Sequence, residues 1–176
     1  MPPKKKLRPN QQQPCKPLQL NLKKTLKEAL KGVKRLAVLG VGSELRGDDI
    51  AGMVAAEIIQ KANHKNIAVF LGATAPENFT GEIKRYKPTH LFIIDAADTS
   101  AKPGTIDLIS PDIVGGVSFS THMMPLKIMV DYMRQSIECE TWIVGIQPKV
   151  LKFGSKPSKV VIDSAKEVAK TILSII

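Results

Sequence analysis

The stretch from Leu36 to Gly52, LAVLGVGSELRGDDIAG, constrains the fold more than any other part of the chain. Its first six residues, up to Val41, are too short for a core helix and predict a strand buried on both faces, as in a parallel sheet. Glycines then permit a sharp turn, and Asp48 and Asp49 stand where a helix begins. Because open α/β sheets place their sites at the carboxyl ends of strands, this stretch delivers two carboxylates to such a site.

Strand and helix patterns alternate along the rest of the chain. Further strands are predicted at 67–71, 91–94, 105–109 and 141–146, and Asp107 marks the fourth as an edge strand. Helices are predicted at 50–61, from Pro76 into Lys84, from Pro125 onward, and after Ser158. This alternation predicts an α/β fold, a three-layer α/β/α sandwich around a mostly parallel twisted sheet of about five strands.

The N-terminal part differs in composition from the remainder. Residues 1–20 are rich in Lys, Pro and Gln, which predicts a basic, disordered lead segment. Residues 21–176 are expected to form a single α/β domain. Within it, residues 21–32 predict an accessory amphipathic helix with Asn21 as its N-cap and an apolar stripe of Leu22, Leu26 and Leu30.

The formal net charge of +10 belongs entirely to the N-terminal part. Residues 1–35 contain eleven basic side chains and one acidic one, whereas the rest of the chain contains fifteen of each. We therefore expect no nucleic-acid binding by the folded domain. A solvated tail is the favoured interpretation of the basic segment, with an acidic partner for residues 1–35 as the alternative. With neither a transmembrane run nor a signal segment, a cytoplasmic protein is expected.

The two cysteines indicate no disulfide framework, zinc site or cysteine peptidase. Cys15 lies in the lead segment, and Cys139 stands between Glu138 and Glu140, whose charges raise the pKa of a thiol.

A dinucleotide site is the first alternative, since Gly40 and Gly42 follow a strand and precede a helix. However, Leu45 occupies the position of the third glycine, and Leu71 ends the second strand where an acid would bind the ribose. Neither a serine nucleophile elbow nor a phosphate-binding P-loop occurs in the sequence.

A metal site is the stronger candidate. Asp49 follows the first strand, Asp95 ends the third, and His122 lies in a polar loop before the helix that starts near Pro125. The ends of parallel strands converge, so these side chains are expected to meet and to leave coordination positions open on a divalent first-row metal. Taken singly, each has a structural alternative: Asp48 or Asp49 as a helix cap or a first-turn partner of the helix dipole, Asp95 as a turn residue, and His122 as a loop histidine. His64 and His90 lack carboxylate neighbours and are interpreted as structural.

Six motifs in order resemble the hydrogenase maturation endopeptidases, and the resemblance runs from about residue 33 to the C-terminus. They are Gly40–Asp49 (GVGSELRGDD), Thr74–Asn78 (TAPEN), Asp95–Asp98 (DAAD), Pro103–Gly104, Ser120–Pro125 (STHMMP) and Gly145–Pro148 (GIQP). The TAPEN and GIQP segments are most similar to the subgroup that serves formate-hydrogenlyase (hydrogenase 3) enzymes.

The resemblance implies an endopeptidase that removes the C-terminal extension of a [NiFe] hydrogenase large-subunit precursor once nickel has been inserted. It implies that Asp49, Asp95 and His122 are the catalytic residues and metal ligands, and it selects Asp49 over Asp48. The nickel is expected to come from the substrate precursor, and other divalent metals are expected to occupy the site in vitro. The rival hypothesis is a non-catalytic α/β module that binds a metal-loaded partner or a nucleotide.

One position departs from the resemblance. Relatives usually carry an aspartate where Leu71 stands, and that aspartate has been linked to substrate discrimination, so the identity of the cognate hydrogenase is left open.

Overall fold

The computed structural model describes residues 22–111, 118–119 and 123–176, with the backbone alone at 118–119 and 123–127. The elements in these ranges are α1 (Leu22–Ala29), β1 (Leu36–Val41), a 3-10 helix (Gly47–Ile50), α2 (Ala51–Lys61), β2 (Ile67–Ala73), a 3-10 helix (Pro76–Phe79), α3 (Thr80–Tyr86), β3 (His90–Asp98), β4 (Ile106–Ile109), β5 (Ser118–Phe119), α4 (Met123–Ser136), β6 (Glu140–Ile146) and α5 (Lys159–Leu173).

The strands form one sheet in which β1 and β3 are central neighbours. Its order is β2-β1-β3-β6-β4, with β4 antiparallel at one edge and the other four strands parallel. The short β5 pairs antiparallel with the end of β3. From β1 the chain passes to β2 on one side and then returns to β3 on the other side. Strand order therefore reverses between β1 and β3, which is where open α/β sheets form a ligand-binding crevice.

Helices cover both faces of the sheet and enclose two cores. One face packs against α1, α2 and α5 and buries alternate strand residues such as Val38 and Ile94. The other face packs against α3 and α4 and buries Leu39 and Ile93. Successive strand residues point to opposite faces, so a strand covered on both sides must be apolar along its whole length. The predicted three-layer α/β/α architecture is confirmed.

The predicted elements are present, although several of their ends differ. β1 and the end of α2 match the prediction, and β4 lies at the predicted edge. β3 runs from His90 to Asp98, beyond the predicted 91–94, because its polar ends pair with β6 and β5. β2 continues to Ala73, beyond the predicted 67–71, and the helix predicted from Pro76 into Lys84 is a 3-10 helix followed directly by α3.

The accessory helix is confirmed as α1, with Leu26 and Leu30 buried in the core that α2 and α5 share. Gly32 follows it with a φ of 77°, as expected of a glycine that closes a helix. The predicted lead segment and the predicted N-cap Asn21 lie outside the described residues. In the described ranges, each helix falls short of the length and apolarity that a membrane crossing requires.

Two glycines bring the start of α2 directly onto the ends of β1 and β3. A Cβ on Gly52 would lie 2.0 Å from the carbonyl oxygen of Ile94 and 2.4 Å from that of Val41. A Cβ on Gly42, whose φ is 133°, would lie 1.7 Å from the carbonyl oxygen of Asp49. The backbone around Asp49 therefore rests against the strand ends with no space for a side chain between them.

Replacing Gly52 with Ala should force α2 away from the sheet, since both clashing atoms belong to the backbone. We expect the free energy of unfolding to fall by about 3 kcal/mol, measured by denaturant titration. Gly81→Ala is the matched control, because its Cβ would meet only the Arg85 side chain, at 3.9 Å. That variant should gain about 0.5–1 kcal/mol from helix propensity, and equal losses in both variants would contradict the close contact.

Candidate functional site at the ends of two neighbouring strands

Asp49 and Asp95 lie together at the carboxyl end of the sheet, where the parallel strands finish, beside the point where strand order reverses. Asp95 is next after Ile94, which pairs with Gly40 of β1. Asp49 belongs to the 3-10 helix that follows β1, and this helix packs against β3. Both aspartates are completely buried. The structure thus brings two of the three predicted site residues to the carboxyl ends of adjacent strands.

The carboxylate of Asp49 is only half satisfied by hydrogen bonds. Its Oδ2 accepts a bond of 3.0 Å from the backbone N–H of Ser43, which lies two residues beyond the end of β1. Its Oδ1 is buried and has no hydrogen-bond partner among the described residues. A buried anion of this kind is costly unless a cation or further donors compensate it. Asp49 is therefore suited to bind a positively charged group that enters the crevice.

Asp95 is held from its own strand. Its Oδ1 accepts a bond of 2.7 Å from the backbone N–H of Ala96. In β3 its side chain shares the parity of Ile93 and Ala97, which belong to the core that α3 and α4 cover. Asp95 thus faces the layer that contains α4.

Asp48 is equally buried but performs a structural task. Its Oδ2 accepts bonds from the backbone N–H groups of Lys149, at 2.7 Å, and Val150, at 2.9 Å. Its Oδ1 accepts another from the backbone N–H of Ser158. The carboxylate thereby holds the segment 147–158 against the 3-10 helix. Capping by Asp48 or Asp49 was the wrong prediction, since neither the 3-10 helix nor α2 has a side-chain cap, but both aspartates do lie in the first turn of the 3-10 helix.

His122 lies outside the described residues, so its predicted role stays a prediction. The described residues on either side of it are informative. Phe119 pairs with Ala97 near the end of β3, and α4 begins at Met123, immediately after the histidine. Within the described ranges, no three His, Cys, Asp or Glu side chains gather closely enough to hold a metal ion.

Neither of the other two histidines belongs to this edge. His90 is buried at the amino end of β3, at the opposite edge of the sheet from Asp95, and burial lowers its pKa despite the nearby charge of Glu140. His64 precedes β2, and its Nδ1 accepts a bond of 3.4 Å from the backbone N–H of Asn66.

Cys139 is similarly unsuited to nucleophilic chemistry. Burial, with a contribution from Glu140, raises the pKa of its thiol, against the smaller effect of a hydrogen bond with Thr141. The expected direction of the shift is confirmed, and its main cause is burial.

Gln147 is a buried polar residue to which sequence reasoning assigned no role. Its Oε1 accepts bonds from the backbone N–H groups of Thr99, at 2.8 Å, and Ala101, at 3.2 Å. Its Nε2 donates to Asp98 Oδ1 at 3.2 Å. Gln147 therefore fixes the segment that follows β3, next to the pairing with β5. The sequence feature that could have identified Gln147 is its position directly after an apolar strand.

Comparison with known proteins decides the family. The family model described as HycI, hydrogenase maturation protease, matches residues 53–175. A Methanocaldococcus jannaschii protein, provisionally named as a hydrogenase maturation protease, is 35% identical over 163 residues that cover 88% of this chain and 96% of the relative. The chain belongs to the hydrogenase maturation proteases. It is therefore a peptidase, and the rival hypothesis of a non-catalytic binding module is set aside.

Two further similarities are to a hydrogenase 3 maturation protease and to a solved structure of this family. The hydrogenase 3 maturation protease of Escherichia coli K12 is 38% identical over 117 residues, which cover 66% of this chain and 74% of the relative. The crystal structure of the [NiFe] hydrogenase maturation protease HycI from Thermococcus kodakarensis is 26% identical, with a TM-score of 0.79 and coverage of 86% of this chain and 97% of that one.

Leu71 of this maturation protease is part of the packing under α2. It pairs with Gly40 across the β1–β2 ladder and contacts the core on the face that α1, α2 and α5 cover. Leu71 is half-buried and adds apolar contact to this core.

Neutralising each of the adjacent aspartates should separate their roles. Asp48→Asn removes the charged acceptor of all three backbone donors and turns an amide N–H₂ group toward at least one of them, so we expect the free energy of unfolding to fall by about 2–3 kcal/mol. Asp49→Asn keeps an acceptor for Ser43 and removes a buried charge, so stability should stay within about 1 kcal/mol of the wild type or rise. Urea titration of both variants measures this. Comparable losses would mean that Asp49 also serves the fold.

Proposed function

We propose that this protease removes a C-terminal extension from the large-subunit precursor of a [NiFe] hydrogenase, and that nickel already inserted in the precursor is what its site recognises. The observation that carries the proposal is the carboxylate of Asp49, which is fully buried and has one oxygen without a hydrogen-bond partner among the residues that the structure describes. Family membership supplies the peptidase activity, and the names of the relatives point to hydrogenases as substrates.

The donor set suits a divalent transition metal. Asp49 and Asp95 offer carboxylate oxygens at one edge, and two carboxylates with an imidazole would leave further positions open for groups of the precursor. We propose His122 as that imidazole, since the segments that flank it connect to the end of β3 and to α4. Nickel held there would add a positive charge close to the scissile peptide, where it favours attack on the carbonyl.

This arrangement explains how an unloaded precursor would be ignored. Without a metal ion, the site presents the buried carboxylate of Asp49, which among the described residues is compensated only by the N–H of Ser43, and this disfavours the approach of another polar chain. With a nickel-loaded precursor, the same carboxylates gain a cation. The metal therefore acts as part of the substrate, and the protease needs no metal of its own at rest.

The test compares nickel-loaded and nickel-free precursor incubated with the full-length chain. We expect mass spectrometry to show loss of a C-terminal fragment from the loaded precursor alone. Cleavage of both precursors at similar rates would overturn recognition by nickel, and cleavage of neither would overturn the proposed substrate.

Substitutions at the edge should remove processing and leave the fold intact. We expect Asp49→Asn, Asp95→Asn and His122→Ala each to slow processing of the loaded precursor by about 100-fold or more, measured by the rate at which the shortened subunit appears. Asp163→Asn is the matched control, because Asp163 lies on the solvent-exposed face of α5 in a surface ion pair with Lys159. Wild-type rates in any of the three site variants would remove that residue from the assignment.

A further inference from the structure

Two large apolar side chains are exposed on loops that are hydrogen-bonded to each other, and one of these loops connects β1 to the 3-10 helix that contains Asp49. Phe153 is 71% exposed and Leu45 is 61% exposed, and Phe153 is the most exposed of the large apolar side chains that the structure describes. The backbone N–H of Gly154 donates to the carbonyl oxygen of Leu45 at 2.8 Å, so the two loops are joined at this point. Adjacent exposed apolar groups on loops are typical of binding surfaces.

The backbone beneath these side chains is firmly held. Asp48 accepts three backbone bonds from the segment 147–158, and its own N–H donates to the carbonyl oxygen of Val150 at 2.8 Å. Arg46 Nη2 donates to the carbonyl oxygen of Leu151 at 3.4 Å. Phe153 is thus presented to solvent from an ordered loop, which lowers the entropy that a partner must overcome on binding.

The same loop is positively charged. Lys149, Lys152 and Lys156 are all exposed, and residues 147–158 contain no acidic side chain. Lys159 follows them but is paired with Asp163. We call Leu45, Phe153 and these three lysines the loop patch. Its chemistry fits a partner segment that combines negative charge with an exposed apolar side chain.

The positive charge of the loop patch disfavours binding by a second copy of this chain or by the chain's own N-terminal segment. A symmetric dimer through the loop patch would place three lysines opposite three lysines, since such an interface uses the same surface twice. The N-terminal segment 1–35 is strongly basic and would be repelled as well.

We propose that the loop patch binds an acidic, apolar-bearing segment of the precursor and so positions the scissile region over the site. This inference rests on the proposed function. The loop patch lies close to the candidate site, because the carboxylate that holds its loop belongs to Asp48, which is next to Asp49 in the sequence.

The first test measures binding separately from cleavage. The full-length Asp49→Asn variant is immobilised, and nickel-loaded precursor is applied to it. This background lacks one proposed nickel ligand, so every comparison is made within it and the remaining affinity depends more strongly on the loop patch. In that background Phe153→Ser and Leu45→Ser should each raise the Kd about tenfold or more, whereas Phe153→Leu should recover most of the affinity. In the active protein, Phe153→Ser should raise KM with little change in kcat. An unchanged Kd in both serine variants would overturn the proposal.

The second test reverses charge. Lys152→Glu combined with Lys156→Glu should slow association about tenfold and flatten its dependence on salt concentration. Lys61→Glu combined with Lys65→Glu is the control of equal net charge, because these exposed residues lie at the end of α2 and before β2, at the other edge of the sheet. Equal effects of the two pairs would show that net charge alone matters and would overturn the patch.

The outcomes separate this inference from the proposed function. If the wild type fails to shorten the precursor while Phe153→Ser weakens binding, the proposed processing reaction is refuted and the loop patch is supported. If processing occurs and the serine variants bind normally, only the loop patch falls. A wild-type dimer that Phe153→Ser dissociates, seen by sedimentation, would assign the surface to a second copy and overturn the proposal.

Discussion

Close backbone contact between the start of α2 and the ends of β1 and β3 is the constraint on which the rest of the structure depends. Gly52 and Gly42 permit it, since a Cβ at either position would overlap main-chain atoms. The contact brings the 3-10 helix against the crevice, where strand order reverses. It therefore determines where the backbone of Asp49 lies, and with it the position of a buried carboxylate relative to Asp95.

Adjacent aspartates then divide two tasks. Both oxygens of Asp48 accept hydrogen bonds from backbone N–H groups of the segment 147–158, which connects β6 to α5. Asp49 has one oxygen bonded to Ser43 and the other without a partner among the described residues. Equal burial therefore carries different meanings at the two positions. A carboxylate that three backbone N–H groups compensate stabilises the fold, whereas the incompletely compensated carboxylate is the one that we propose for metal binding.

The loop that Asp48 anchors connects the interior of the site to its surface. Its backbone is bound from below, and its side chains present Phe153 and three lysines to solvent. A single carboxylate thus orders the surface that a protein substrate would meet, one residue away from the carboxylate proposed to meet its metal. Gln147 performs a comparable task on the other side, because it holds the segment after β3 through Thr99 and Ala101.

Much of the fold was readable from the sequence because its signals are local. Apolar runs such as Leu36–Val41 predicted buried strands, and the alternation of strand and helix patterns predicted three layers. The sequence did not predict that β3 includes Asp95 and Asp98, because these polar residues belong to the strand only through pairing with β6 and β5. Ser158 precedes α5 as predicted, yet it gives its backbone N–H to Asp48 and makes no side-chain cap.

By itself, the sequence determined the family, the layered architecture and the residue types of the candidate site, because motifs and periodicity are properties of neighbouring residues. Only the tertiary structure decided the strand order, and hence that the strands preceding Asp49 and containing Asp95 are neighbours. It alone distinguished Asp48 from Asp49 by their partners, since those partners lie about a hundred residues away for one and six for the other. Hydrogen bonds across such separations depend on how the chain packs, and no short-range pattern records them.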